Sequence, residues 1–287
     1  MQTRTLTMND AEYPEVLKHI HSPPEPLYVR GAGLNKLLER PAVAIVGTRN
    51  MTAYGYQITN KLAAELAEQG MVVISGLALG IDATALTAAL EAGGQVIAVL
   101  PSPVEEPVPM QNYRLAENIL AQGGALVSEY PAGTVPQKQY FIARNRIMSG
   151  LAQAVLITEA GIQSGAMHTF RFAGEQSKAV LAVPGNITHQ NSAGTHSIIK
   201  QGGALVTELA DVLFALGLTP HHIKANKLKG SNRHEQLLLD LMLQGISDGD
   251  DLLEKSQLDI AAFNAHLTML ELSGKIRPLG GNNWGIF

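Results

Sequence analysis

No cysteine occurs among the 287 residues, which excludes disulfides, thiol nucleophiles and cysteine–zinc sites and suits a reducing compartment. Aromatic residues are scarce at 5%, so few side chains are available as stacking platforms. No run approaches the length of a membrane span, and Met1-Gln-Thr-Arg-Thr-Leu-Thr7 lacks the apolar core of a signal peptide. A soluble, cytoplasmic protein is expected. The common nucleotide signatures are missing too. There is no Gly-x-x-x-x-Gly-Lys-Ser/Thr, and no Gly-x-Gly-x-x-Gly follows the first strand run, since Gly76 and Gly80 have the wrong spacing. This argues against an NTPase or a dinucleotide dehydrogenase. Nine histidines show no metal-ligand spacing, and neither His168 nor His196 has a carboxylate relay in sequence. No metal, cofactor or catalytic residue is expected.

What is present is a foldable core. Hydrophobic residues make up 46% and charged residues 16%. Residues 1–40 read as a short irregular lead-in broken by Pro14 and Ser22-Pro23-Pro24. From there, β-branched apolar runs at Ala42–Val46, Met71–Ile74, Val96–Leu100, Ala125–Val127, Ala154–Ile157 and Ala179–Val183 predict buried strands. Helical periodicity separates most of them, at Tyr54–Glu68, Asp82–Glu91, Asn112–Ala121 and Met167–Gln176, with a last helix near Thr207–Leu216. Such alternation predicts an α/β fold, a mostly parallel sheet with helices on both faces, over residues 41–218. The polar, basic stretch 219–231 reads as a linker. Residues 232–287 predict three helices and a hairpin, the winged-helix plan.

Net charge is −4, and its distribution is uneven. Residues 1–230 hold 17 Lys and Arg against 17 Asp and Glu, whereas residues 231–287 hold 4 against 8. A polyanion site must therefore be a local cluster in the first part. Three strand-to-helix turns offer one: Gly47-Thr48-Arg49, Ser75-Gly76 through Gly80-Ile-Asp82, and Glu159-Ala-Gly-Ile-Gln-Ser164-Gly165. In a parallel sheet they emerge at the carboxyl edge, where helix N-termini suit phosphate. Arg144-Asn145-Arg146 lies in an apolar segment near that edge. Two guanidiniums there need an anion, either a phosphate or an internal carboxylate such as Glu129 or Glu159. Placed beside Arg49 and the glycine turns, they read as one wall of a phosphate-gripping edge. The expected recognition helix of the tail, Ile260–Leu272, has no Lys or Arg, which favours protein contact over reading duplex DNA.

With these residues laid out, the chain resembles the DprA/Smf family of bacterial DNA-processing proteins. The resemblance runs from Tyr13-Pro14 and Leu27-Tyr-Val-Arg-Gly31 through Gly47-Thr-Arg49, Ser75-Gly-Leu-Ala78 and Gly80-Ile-Asp82. It continues through Ser128-Glu-Tyr-Pro131, Arg144-Asn-Arg146, Glu159-Ala160, Ser164-Gly165 and Val183-Pro-Gly185 to Leu270-Glu271 and Gly274-Lys-Ile276. It implies an extended Rossmann-like sheet with a winged-helix tail, and a non-enzymatic protein that binds and protects incoming single-stranded DNA. It further implies loading of the RecA recombinase in natural transformation and homologous recombination, as a homodimer. Gly47, Thr48, Arg49, Ser75, Gly76, Gly80, Arg144, Asn145, Arg146, Ser164 and Gly165 are the residues expected at DNA phosphates. Tyr54, Tyr113, Tyr130 and Phe141 are the aromatics available for stacking. The chain departs from the family after Asp82, where Ala83-Thr-Ala-Leu86 replaces a usual histidine motif. It departs again at Met110, where some members carry a pocket lysine. Two other readings remain open: a phosphoribohydrolase-like nucleotide-processing enzyme on a related fold, and a winged-helix regulator of transcription.

Overall fold

The computed structural model describes residues 2–218, 230–243, 246–273 and 275–286. Nine strands form one sheet: β1 (Arg4–Leu6), β2 (Leu27–Gly31), β3 (Ala42–Val46), β4 (Val72–Ser75), β5 (Gln95–Val99), β6 (Ala125–Ser128), β7 (Ala154–Ile157), β8 (Ala179–Ala182) and β9 (Ala204–Leu205). Their order is β1-β2-β6-β5-β4-β3-β7-β8-β9, parallel from β6 to β9 and antiparallel at β1 and β2. β3 shows why the fold is double-layered. Val43 and Ile45 join one buried cluster, while Ala42, Ala44 and Val46 join the other. A strand covered on both faces needs a continuous apolar run, which Ala-Val-Ala-Ile-Val supplies. Helix Ala53–Glu68 buries Leu62 and Leu66 against the first cluster, side chains one turn apart on a single face. The expected α/β architecture is the observed one.

The expectation of an irregular lead-in fails. β2 pairs with β6 in antiparallel register, Tyr28 opposite Ser128, and β1 pairs in turn with β2, Thr5 opposite Tyr28. Short strands between prolines give little local signal, because what fixes them is a partner distant in the chain, Ser128 for Tyr28 and Tyr28 for Thr5. Helices Lys138–Ala143, Asn145–Leu151 and Ala193–Lys200 were not anticipated either. Leu86 lies fully buried in the core, and Met110 is 72% exposed.

The N-terminal segment is locked by Tyr13, whose hydroxyl donates to the Pro24 carbonyl at 2.8 Å. Burial, reinforced by Glu25, pushes its pKa up to about 12. In the unfolded chain a tyrosine loses its proton near pH 10. Stability is therefore full below about pH 10 and falls as pH rises towards about 12, because the unfolded state releases the proton first. Urea midpoints between about pH 9 and 11 should show a shallower decline for Tyr13→Phe. The decline is not abolished, since Tyr54 and Tyr130 are also shifted upward by burial.

A second compact unit follows, the two dividing near residue 220. Most of the expected linker, residues 219–229, lies outside the described residues, as do residues 274 and 287 of the expected hairpin. Helices Arg233–Leu243, Gly249–Ser256 and Ile260–Leu272 precede the antiparallel pair β10 (Ile276–Gly280) and β11 (Asn283–Ile286). Leu238, Leu252, Phe263, Leu267 and Leu270 form its core. Three helices and a hairpin were expected, and are present. Among the described residues no helix is long and apolar enough to cross a membrane.

Candidate functional site

From β3 the chain runs outward through β4 and β5, then returns to place β7 and β8 on the other side of β3. The turns after β3 and β7 therefore diverge, and open sheets of this kind leave a crevice at that point. A cleft of about 1150 Å³ lies there, bounded by residues 46–49, 138–148 and 161–169. Of the residues expected at phosphates, Gly47, Thr48, Arg49, Arg144, Asn145, Ser164 and Gly165 line it. Ser75, Gly76, Gly80 and Arg146 do not, and each has an internal reason to be where it is.

Arg144 is 4% exposed and its guanidinium is spent inside the protein. It donates to the Gly76 carbonyl at 2.5 Å, to the Val99 carbonyl, and through Nε to Asn145 Oδ1 at 3.0 Å. Its remaining nitrogen stands 3.7 Å from the carboxylate of Asp82, itself 5% exposed. Burial draws the arginine down to about 10, so it stays charged at neutral pH. Burial raises Asp82, against the opposing pull of Arg144 and the backbone N–H groups of Ala78 and Gly76. Gly76 is glycine for this reason: a methyl group there would overlap the guanidinium. The close approach that the sequence suggested is real, but Arg144 makes it. Gly80, at φ +79°, likewise packs on the Thr48 and Arg49 carbonyls, and Ser75 donates to the Ile45 carbonyl at 2.6 Å. Only in the third turn is the glycine open, with nothing within 4 Å of a side chain added at Gly165.

Arg146 turns away from the cleft and grips Glu129 through both nitrogens, at 2.7 and 3.1 Å. Of the two partners considered for this arginine, the internal carboxylate is the observed one. Glu159 is committed as well. Its two oxygens accept from the backbone N–H and the hydroxyl of Thr52, each at 2.9 Å, and its carbonyl accepts from Thr48 N–H at 2.8 Å. Thr52 in turn caps helix Ala53–Glu68 by accepting from Gly55 N–H at 3.1 Å. The loop carrying Arg49 is thus fastened at both ends by one residue.

The exposed cations of the cleft wall are Arg49 and Lys138. Arg49 lies over the ring of Phe141, 5.2 Å from its centroid. Sequence reasoning did not single out Lys138. The helix Lys138–Ala143 brings it to the cleft with Phe141 and Ile142, at i, i+3 and i+4, and that spacing was readable from the chain. Gln190 and Asn191 complete the opposite lip, and Asn191 donates to the Asn50 carbonyl at 2.8 Å. Of the four aromatics considered for stacking, only Phe141 lines the cleft. Tyr130 is stacked on Tyr140 at 4.1 Å, and Tyr54 donates to the Pro184 carbonyl at 2.7 Å.

Fold and site together define a doubly wound Rossmann-like domain with a cation-walled crevice, followed by a winged-helix unit. The chain matches the model of DNA recombination-mediator protein A over residues 4–217 and that of the DprA winged helix domain over residues 224–282. It belongs to the DNA recombination-mediator protein A family. Protein Smf of Synechocystis is 39% identical over 217 residues, 75% of this chain, and this chain spans 54% of that protein's length. The crystal structure of DNA processing protein A from Streptococcus pneumoniae superposes with a TM-score of 0.70 at 38% identity, covering 75% of this chain and 74% of that one. The DNA processing protein A of Helicobacter pylori, whose structure describes a single-stranded DNA binding mode, superposes at 0.66 with 33% identity, covering 75% of this chain and 96% of that one.

Proposed function

We propose that this protein is a non-enzymatic, single-stranded DNA-binding recombination mediator whose phosphate grip is the cleft at the end of β3 and β7. The observation that carries this reading is Arg49, exposed on the wall and held over Phe141, with Lys138 one helical turn before that ring. A cation resting on an aromatic face offers a phosphate and a base contact side by side, without sequence readout. The Helicobacter pylori relative supports the choice of single strands. The remaining parts of the proposal are protection of incoming DNA in natural transformation, delivery to RecA, action as a homodimer and a cytoplasmic site. Residues 41–218 carry the nucleic-acid function, and residues 232–287 an accessory one.

Anisotropy titrations with labelled single-stranded and duplex oligonucleotides at two salt concentrations test it. Single strands should bind tighter. Arg49→Gln and Lys138→Gln should each weaken binding about 10-fold at low salt and flatten the log–log salt slope by about 0.7, the loss of one phosphate contact. Arg146→Gln should leave the slope unchanged, because its charge is spent on Glu129. Equal affinity for duplex, or slopes unaltered in both cleft variants, would overturn the assignment.

A further inference from the structure

In the winged-helix unit, helix Ile260–Leu272 turns Phe263, Leu267 and Leu270 into that unit's own core. The opposite side of such a helix normally carries charge. Here it carries Ala261, Ala265, Met269 and Leu272, spaced i, i+4, i+8 and i+11 along one face, with Thr268 the uncharged polar residue among them. Met269 is 55% exposed and Leu272 77%. The two alanines leave a shallow groove beside the larger side chains, the relief into which a second helix packs.

We infer that this face docks an amphipathic helix of a partner protein, apolar along one stripe and bordered by Lys and Arg. Charge selects the occupant. Residues 231–287 hold 8 Asp and Glu against 4 Lys and Arg, and the helix contributes Glu271 with Asp259 at its N-cap, and no Lys or Arg, its one histidine, His266, facing Glu235. DNA phosphates would be repelled by that balance. A second copy of this unit would bring like charge to like charge. A basic amphipathic helix answers both properties at once, its apolar stripe on Ala261, Ala265, Met269 and Leu272 and its basic borders towards Glu271 and the net negative charge of the unit. This surface is independent of the cleft reading, so either can fail alone.

The test uses the full chain and two labelled helical peptides of about 18 residues, with leucine at i, i+3, i+4 and i+7 and either lysine or glutamate elsewhere. The lysine peptide should bind with a Kd on the order of 1–10 μM, and the glutamate peptide at least about 10-fold more weakly. Met269→Ser/Leu272→Ser preserves net charge and should weaken the lysine peptide about 10-fold. Ala265→Arg should do the same by filling the groove, and neither variant should alter the urea midpoint or single-strand affinity. The proposal fails if the serine double variant holds the lysine peptide as tightly as the parent, since attraction would then be ionic alone. It also fails if sedimentation shows a self-associated form that Ala265→Arg dissolves, or if the parent binds duplex DNA and Ala265→Arg abolishes it.

Discussion

Replacing Arg144 with methionine should destabilise the protein by about 3–5 kcal/mol, the cost of breaking a buried ion pair from one side. Methionine fills the same channel with apolar atoms, so little of the loss comes from packing. What it strands are the carbonyls of Gly76 and Val99, which now take donors from the guanidinium, and the Asp82 carboxylate, which loses its ion-pair partner at 3.7 Å. The pH dependence identifies the cause. Burial already raises Asp82, and without Arg144 it rises further. A folded-state pKa above the unfolded one favours the native state at low pH and removes stability as pH climbs through it. The variant should therefore regain stability on acidification, where the parent gains less. Adding Asp82→Leu should recover a large part of the loss, with a coupling of about 2–3 kcal/mol in the double-mutant cycle. Gly76→Ala should resemble Arg144→Met, since its methyl occupies the space of the guanidinium. A cost below about 1 kcal/mol for Arg144→Met in urea melts would mean that the pin does not hold β4, β5 and the cleft floor together.

These variants bear on what the sequence could and could not convey. The parallel strands β3 to β8 were legible because they are largely buried on both faces and read as apolar runs, as in Ala42–Val46. Strands β1, β2 and β9 were not, because Leu27–Gly31 becomes a strand only by pairing with Ala125–Ser128 and the two residues of β9 are exposed. The glycine turns pointed to the correct edge of the sheet. Glycine spacing, however, says only that something comes close, and cannot say what. At Gly76 it is an arginine 68 residues further along the chain, and that contact exists only after folding. Arg144 and Arg146 look alike in sequence, yet one floors the cleft and the other holds Glu129. Lys138 was overlooked because Pro131 and Pro136 mask the helix that begins directly after them.

Glu159→Ala should produce the second large effect, a loss of about 2–4 kcal/mol together with weaker single-strand binding. The carboxylate is 3% exposed and takes two hydrogen bonds from Thr52, the residue that caps helix Ala53–Glu68. Removing it leaves the half-buried Thr52 N–H without its acceptor and frees the loop that presents Arg49. Binding should then fall several-fold while the salt slope stays as in the parent, because no cation has been lost and only the ordering of the loop has become costlier. Gly55 supplies an internal check. Its missing side chain is the space the carboxylate occupies, so Gly55→Ala should expel Glu159 and reproduce most of the damage. The double variant Gly55→Ala/Glu159→Ala should be no worse than the poorer single one, since both remove the same contact. Additive losses would show that the brace is not shared. A different result would change the function rather than the brace. If the parent released free base from nucleoside monophosphates, and Glu159→Gln stopped it with the urea midpoint within about 1 kcal/mol of the parent, Glu159 would be a catalytic carboxylate. With both oxygens turned into the cap of a helix rather than towards the cleft, the expected outcome is no such release and a loop that has lost its anchor.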